Sequence, residues 1–478
     1  MSYPTLQLLI DGEWIARTST GTRAVLNPAD GTLLGELPVA GPSELSAAQE
    51  AVVRGFAVWS KTLPLERFRI ITRATQLMRE RAPRIARILT LEQGKPLAEA
   101  LREVTLSADI IDFLAEEGKR LASRGVPARL PNVLSQTVMR VPVGPVAAFT
   151  PWNFPVNLPS RKLGGALSAG CSVIIKPDEQ VAASCLEIAR AFMDAGLPAG
   201  VLNVVAGDPA QISSTLIASP AIAKVSFTGS VPVGKLLGEQ AARHMKRYAA
   251  ELGGHAPVLV CADADGAAVA KLAVPAKFRN AGQVCASPIR FLVHRSQYAA
   301  FRDAFVAGAN ALKVGSGLDE GTQFGPLIHE RRLAEMQDFV DDAIDRGATL
   351  SCGGKRLPRP GWFYAPTVLE NAPASARVQY QEPFGPIALL DVFDELDDAI
   401  SRANALPFGL AAYGFTRDLA VSHRLSMELQ AGMVGINHFG VSQPETPFGG
   451  IKESGLGQES GLEGLLGYTE VKLVSVAA

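Results

Sequence analysis

Between residues 143 and 242, short apolar runs and helix-patterned stretches alternate four times. The runs at 143–150, 172–175, 201–205 and 224–227 are each followed by a helical pattern, at 158–169, 182–195, 212–218 and 233–242. This alternation predicts an α/β chain built on a doubly wound parallel sheet. Such sheets take nucleotides at the carboxyl ends of their strands, so the loops that follow the apolar runs are where chemistry is expected.

The flanking segments read differently. From about Pro42 to Ser123 the spacing of Ile70, Ile71, Leu77, Met78, Ile85, Ile88 and Leu89 is helical. A strand-like, polar stretch covers 125–140. A second α/β series starts near Gly253-Gly254 with 256–261 and continues through 291–294, Val392 and 411–415. The Gly- and Pro-rich segment 432–457 is expected to return as a long loop, and 468–476 alternates as a strand. The domains expected are a cofactor-binding unit at 1–123 and 141–252, a catalytic unit at 253–433, a return segment at 434–460, and a small β oligomerisation arm at 124–140 and 461–478. A detached sheet of that kind is most useful paired with another subunit, in a homodimer or homotetramer.

Composition narrows the function. A chain of 478 residues exceeds one core, and 47% hydrophobic residues can fill two or three. With 46 basic and 47 acidic residues it carries no electrostatic footprint for nucleic acid or an anionic membrane, so a small-molecule substrate fits better. Five cysteines without a Cys-x-x-Cys pair, and six histidines without ligand spacing, argue against a disulfide framework and a metal site. A reducing compartment follows. The start of the chain lacks a basic and then apolar leader, and no apolar run is long enough to span a bilayer, so a soluble, cytoplasmic protein is expected.

Two residues carry a reaction between them. Cys285, in Gly-Gln-Val-Cys, follows a polar stretch with a glycine, whereas Cys171, Cys185, Cys261 and Cys352 sit in strand-like, helical or turn contexts that suit packing. Glu251, in Glu-Leu-Gly-Gly, supplies a carboxylate that can take a proton from a thiol or a water. Asn153, in Thr150-Pro-Trp-Asn-Phe-Pro, is either a helix cap or an oxyanion donor. Lys176 and Glu179 end another strand, where they either hold a ribose or form an ordinary surface turn. Phe227-Thr-Gly-Ser230 can present helix-start amides to a phosphate. Glu382-Pro-Phe384-Gly-Pro is a rigid turn bearing a carboxylate and a ring.

Together these motifs, with Pro447-Phe-Gly-Gly, resemble the NAD(P)-dependent aldehyde dehydrogenase superfamily nearly end to end. The resemblance implies that Cys285 attacks an aldehyde, that Asn153 and the Cys285 amide hold the oxyanion, and that Glu251 activates the water that hydrolyses the thioester. It implies NAD as cofactor, with NADP possible, held by Thr150, Pro151, Trp152, Lys176, Glu179, Phe227, Gly229, Ser230, Val233, Leu252, Glu382 and Phe384. Arg161-Lys162, Arg279 and Ser442 are similar to residues of succinate semialdehyde dehydrogenases. Asn153, Asn157 and Arg161 fall on one face if 153–161 is helical. Asn157, Arg161, Arg279, Ser442 and Phe448 are therefore the expected substrate residues, and two arginines and a hydroxyl suit a carboxylate. Internal salt bridges of the arginines are the alternative. Other stretches look like α-ketoglutaric semialdehyde dehydrogenases, so the substrate is an ω-carboxylated aldehyde of either kind. Ser287 stands where some relatives carry a second cysteine, and no redox disulfide is expected there.

Overall fold

The computed structural model describes residues 3–478. Its first sheet has eight strands in the spatial order Glu13–Ile15, Leu8–Ile10, Leu202–Val204, Val173–Lys176, Val146–Phe149, Lys224–Thr228, Arg247–Glu251 and Gly455–Leu456. The five strands from 146 to 251 are parallel; Leu8–Ile10 and Gly455–Leu456 join them antiparallel, and Glu13–Ile15 pairs antiparallel with Leu8–Ile10. The chain winds outward in one direction from Val146–Phe149 and in the other from Lys224–Thr228, so the strand order reverses between them. That reversal opens a crevice at the carboxyl ends, where side chains are not covered by a crossing helix. Register puts Phe149 beside both Lys176 and Phe227, and Thr228 beside Glu251. Four of the predicted motifs thus leave the sheet at one edge.

The second sheet has seven strands in the order Thr349–Cys352, Thr367–Glu370, Ile387–Phe393, Pro288–His294, Ala256–Val260, Ala411–Phe415 and Met433–Ile436, parallel except for the first. Each sheet has its own buried core. Helices Pro42–Trp59, Pro64–Glu80, Ala82–Gln93 and Leu97–Gly118 fill the helical stretch before the first sheet. Leu97–Gly118 packs on helix Asn157–Ala169, which is buried along its whole length. Close packing explains its two glycines: a Cβ on Gly165 would lie 2.5 Å from the Tyr468 ring, and one on Gly164 would lie 2.9 Å from Leu114.

A third, detached sheet pairs Thr469–Ala477 with Val133–Pro142, which also pairs Arg124–Gly125. It leaves Leu134, Val471 and Leu473 more than half exposed. Helix Gly461–Leu466 precedes it and contributes Leu465 to the first core, so of the segment 461–478 only Thr469–Ala477 lies in this sheet.

Segment 432–457 is not one long loop. Met433–Ile436 is a strand of the second sheet and runs across the expected 433/434 division, and Gly455–Leu456 is the edge strand beside Arg247–Glu251. Glycine lets the chain approach closely here: a Cβ on Gly455 would lie 2.6 Å from the Ala250 carbonyl oxygen. No described helix is long and apolar enough to cross a membrane. Among the described residues no cluster of His, Cys, Asp and Glu is arranged to hold a metal ion.

Candidate active site

At the crevice, the turn after Val146–Phe149 carries Thr150, Pro151, Trp152 and Asn153. The Thr150 and Thr228 hydroxyls are buried and have no partner among the described residues. Buried polar atoms left unpaired cost free energy, so they mark a place where a ligand completes the bonding. Ser230 stands at the N-terminus of helix Val231–Arg243 without capping it, which leaves first-turn amides free for an anion. A Cβ on Gly229 would strike the Phe227 ring at 2.4 Å, and one on Gly234 would meet Leu252 at the same distance. Val233 is 43% exposed on the same turn. Lys176 Nζ pairs with Glu179 Oε1 at 2.6 Å, and Arg23 approaches Glu179 Oε2 at 3.7 Å.

Across the crevice, Phe384 meets Trp152 edge-on at 5.5 Å. Its backbone is left-handed at φ 44°, and Arg332 Nη2 donates to the Pro383 and Phe384 carbonyls at 2.8 and 3.2 Å. Glu382 accepts from the Gly254 amide at 3.1 Å, and a Cβ on Gly253 would lie 2.2 Å from its other oxygen. Burial pushes the Glu382 carboxyl up to about 7. Two orphan hydroxyls, an uncapped helix start, a ribose-suited acid and an aromatic wall fit a dinucleotide.

Cys285 follows three consecutive left-handed residues, Asn280 at φ 49°, Ala281 at φ 53° and Gly282 at φ 72°. Only glycine fits at 282, where a Cβ would lie 2.2 Å from the Gly385 carbonyl oxygen. For Asn280 and Ala281 the conformation costs about 1–2 kcal/mol each, and surrounding hydrogen bonds must hold it. Gln283 Nε2 donates to the Asn280 carbonyl at 3.0 Å, and the Ile328 amide donates to Gln283 Oε1 at 3.1 Å. The Asn153 side chain donates to the Gln283 carbonyl at 3.2 Å. One of the two Asn153 N–H groups is thus anchored to the cysteine loop, and the other is free for a substrate oxygen.

Burial first, then the charges of Glu382 and Glu251, push the Cys285 thiol up to about 12, against the pull of Arg161 and Arg279. Burial also raises Glu251 well above the ordinary carboxylate range, reinforced by Glu459 and opposed by Lys162 and Arg161. Neither Glu251 oxygen has a hydrogen-bond partner meeting normal geometry among the described residues; the Gly450 amide adds only a minor opposing pull. The Cys285 thiol therefore rests protonated at neutral pH, and burial favours the neutral form of Glu251 as well. Cys171, Cys185, Cys261 and Cys352 are also free thiols, the first three buried in packing contexts.

Of the residues expected on the substrate side, Asn157, Ser442 and Phe448 gather around Arg161. Its Nε donates to Asn157 Oδ1 at 2.9 Å, Nη1 to Ser460 Oγ at 2.5 Å and Nη2 to Ser442 Oγ at 2.7 Å, and the guanidinium stacks 4.5 Å from the Phe448 ring. Every partner is neutral. Neither Arg161 nor Arg279 makes an ion pair among the described residues, so the internal salt bridges expected as the alternative are absent. Arg279 is exposed at the end of helix Gly266–Phe278, 5.7 Å from the Phe154 ring, and its charge reaches Cys285.

One expectation needs correction. The helix begins at Asn157, so Asn153 lies before it and only Asn157 and Arg161 share its face. Asn153 is not the cap either: Glu103 Oε1 accepts from the Val156 and Asn157 amides at 2.9 and 3.0 Å. Sequence reasoning missed Glu103, its partner Lys95, Glu99, Asn280 and Gln283. It also missed Ser460, whose only signal was a hydroxyl beside an acid in a Gly-rich stretch.

Residues 14–474 match the Aldehyde dehydrogenase family. The chain is 46% identical over 476 residues to 4-(hydroxymethyl)benzenesulfonate dehydrogenase TsaD1 of Comamonas testosteroni, covering 100% of this chain and 99% of that one. It is 42% identical to the NADP(+) succinate-semialdehyde dehydrogenase GabD of Escherichia coli (strain K12), covering 98% and 97%. The crystal structure of succinate-semialdehyde dehydrogenase from Burkholderia pseudomallei superposes with a TM-score of 0.96 at 42% identity, over 99% of this chain and 98% of that one.

Proposed function

Because the chain belongs to the aldehyde dehydrogenase family, we propose that its substrate is an aldehyde with an anionic group at the far end, succinate semialdehyde first among them, oxidised to the dicarboxylate. The observation that carries this reading is Arg161, 2% exposed and held by three neutral acceptors with no ion pair, the charges of Glu459 and Glu251 reaching it only from a distance. A buried cation without a partner is costly, and a substrate carboxylate would relieve that cost by charge-assisted hydrogen bonds. Ser442 can donate its own hydroxyl proton to the same anion.

In this reading Cys285 gives its thiol proton to the ionised Glu251 carboxylate, which releases it to solvent, and Sγ bonds to the aldehyde carbon. The oxyanion accepts hydrogen bonds from the free Asn153 N–H and the Cys285 amide, a donor type whose removal costs about 3 kcal/mol in other enzymes. Bound NAD(P)+ supplies the acceptor for the hydride, and Thr150, Pro151, Trp152, Lys176, Glu179, Phe227, Gly229, Ser230, Val233, Leu252, Glu382 and Phe384 would hold it. Loss of hydride leaves a thioester on Cys285. Glu251, once ionised, takes a proton from water, whose oxygen adds to the thioester carbon and displaces the sulfur. Since burial raises Glu251, this step gains rate as pH rises.

Glu179 favours NAD, since a 2′-phosphate would meet its charge, although Lys176 and Arg23 offset part of that charge. The exposed apolar residues of the arm suit pairing with a second copy in a dimer or tetramer. Five unpaired cysteines suit a cytoplasmic setting. α-Ketoglutaric semialdehyde remains an alternative substrate, and a broad aliphatic range is the less specific one. A sulfonated aldehyde is a second reading, favoured by the relative named for a benzenesulfonate and by a guanidinium that accepts either anion.

The test is kcat/KM for succinate semialdehyde, α-ketoglutaric semialdehyde, 3-sulfopropanal and butanal with each cofactor. An anionic substrate should exceed butanal by about a hundredfold, the worth of a charge-assisted pair. Equal values for charged and uncharged aldehydes would overturn the reading.

A further inference from the structure

The two loops that carry Asn153 and Cys285 come from different sheets, yet one helix grips both. Lys95, just ahead of helix Leu97–Gly118, donates from Nζ to the Asn153 carbonyl at 2.9 Å and to Glu103 Oε2 at 2.5 Å. Lys95 also lies 4.1 Å from the centre of the Phe154 ring. Glu103 in turn holds the start of helix Asn157–Ala169 through two amides. One turn earlier, Glu99 Oε2 accepts from the Asn280 amide at 2.9 Å, at the first residue of the left-handed turn before Cys285. Asn280 closes the circuit: its side chain donates to the Asn153 carbonyl at 2.9 Å and to the Gln283 carbonyl at 3.2 Å.

Without such a grip the spacing of nucleophile and oxyanion donor would depend on two loops moving independently. A displacement of about 1 Å at a reacting group can cost a hundredfold in rate. We infer that Glu99 is a positioning residue, whose carboxylate holds the Asn280 turn so that Cys285 Sγ and the free Asn153 N–H meet the same carbonyl group. Lys95 and Glu103 hold the opposite loop against it. This rests on the roles given to Cys285 and Asn153 under the proposed function. Glu99 itself touches no reacting atom in that scheme.

The test is a cycle of Glu99→Ala, Asn153→Ala and the double variant, read by kcat, KM, the single-turnover rate of NADH formation and melting temperature. Glu99→Ala should lower kcat about tenfold with KM within about twofold. In the Asn153→Ala background the same change should add little, because the donor it aligns is gone. Glu99→Gln, which keeps an oxygen at the Asn280 amide, should recover kcat to within about threefold. It also provides the measurement if the alanine variant fails to fold. Full additivity of the two alanine changes, or a glutamine variant no better than alanine, would overturn the inference. An unchanged kcat in Glu99→Ala would do the same. If Asn153→Ala alone left kcat unchanged, the oxyanion role itself would fall, a result distinct from loss of the Glu99 coupling.

Discussion

Arg161 and Lys162 are neighbours on one helix and almost equally buried, at 2% and 1%, but their surroundings are built on different principles. Lys162 meets the Glu459 carboxylate at 2.5 Å and the Ser226 hydroxyl at 3.0 Å, so its charge is cancelled within the fold. Arg161 meets two serine hydroxyls, one amide oxygen and an aromatic face, which orient it without cancelling it. The first arrangement is complete as it stands. The second leaves a buried guanidinium without an ion pair, and under the proposed function that difference separates a structural cation from a receptor.

The comparison breaks most visibly at Lys162. Lys162→Met leaves Glu459 buried and unpaired, and should cost about 3–5 kcal/mol of unfolding free energy in urea titrations. It also removes a cation that lowers Glu251, so in the variant that folds the pH at which kcat rises should move upward. Stability equal to the parent would remove the distinction between the two residues.

Arg161→Leu should act the other way round. The fold sheds an uncompensated charge and keeps its stability, while kcat/KM for succinate semialdehyde falls about a hundredfold and that for butanal changes by less than about threefold. Parallel losses for both substrates would make Arg161 a structural cation like its neighbour. A smaller effect sharpens the contrast at the cofactor end, where Glu179 is a carboxylate flanked by two cations. Glu179→Ser should raise the NADP/NAD ratio of kcat/KM by about tenfold, since Lys176 and Arg23 then face the 2′-phosphate unopposed. No change in that ratio would detach Glu179 from cofactor choice.

The strand-and-helix alternation from 143 to 242 was legible because each strand is buried on both sides and each intervening helix must cross a sheet face. The Asn153 and Glu251 motifs were legible because they leave such strands, and the Cys285 motif because a polar stretch with a glycine precedes it. The grip on their loops was not. Glu99 and Glu103 are four apart on a helix, a spacing that ordinarily marks a solvated face. Glu103 turns to the uncapped amides at the start of helix Asn157–Ala169 and Glu99 to the Asn280 amide, partners that only tertiary packing supplies. Segment 432–457 misled for a related reason: glycines that suggested a loop are there to let Gly455 pair closely with Ala250 and Glu251.

Ser442, Phe448 and Ser460 reach Arg161 from almost three hundred residues along the chain. During synthesis, therefore, Cys285 and the crevice of the first sheet emerge well before the wall proposed to meet the far end of the aldehyde. A ribosome-bound chain interrupted ahead of Ser442 carries Cys285 and Asn153 but not the Arg161 hydroxyl partners or the strand Gly455–Leu456 beside Glu251. Under the proposed function, substrate selectivity is thus acquired later in synthesis than the groups proposed to do the chemistry.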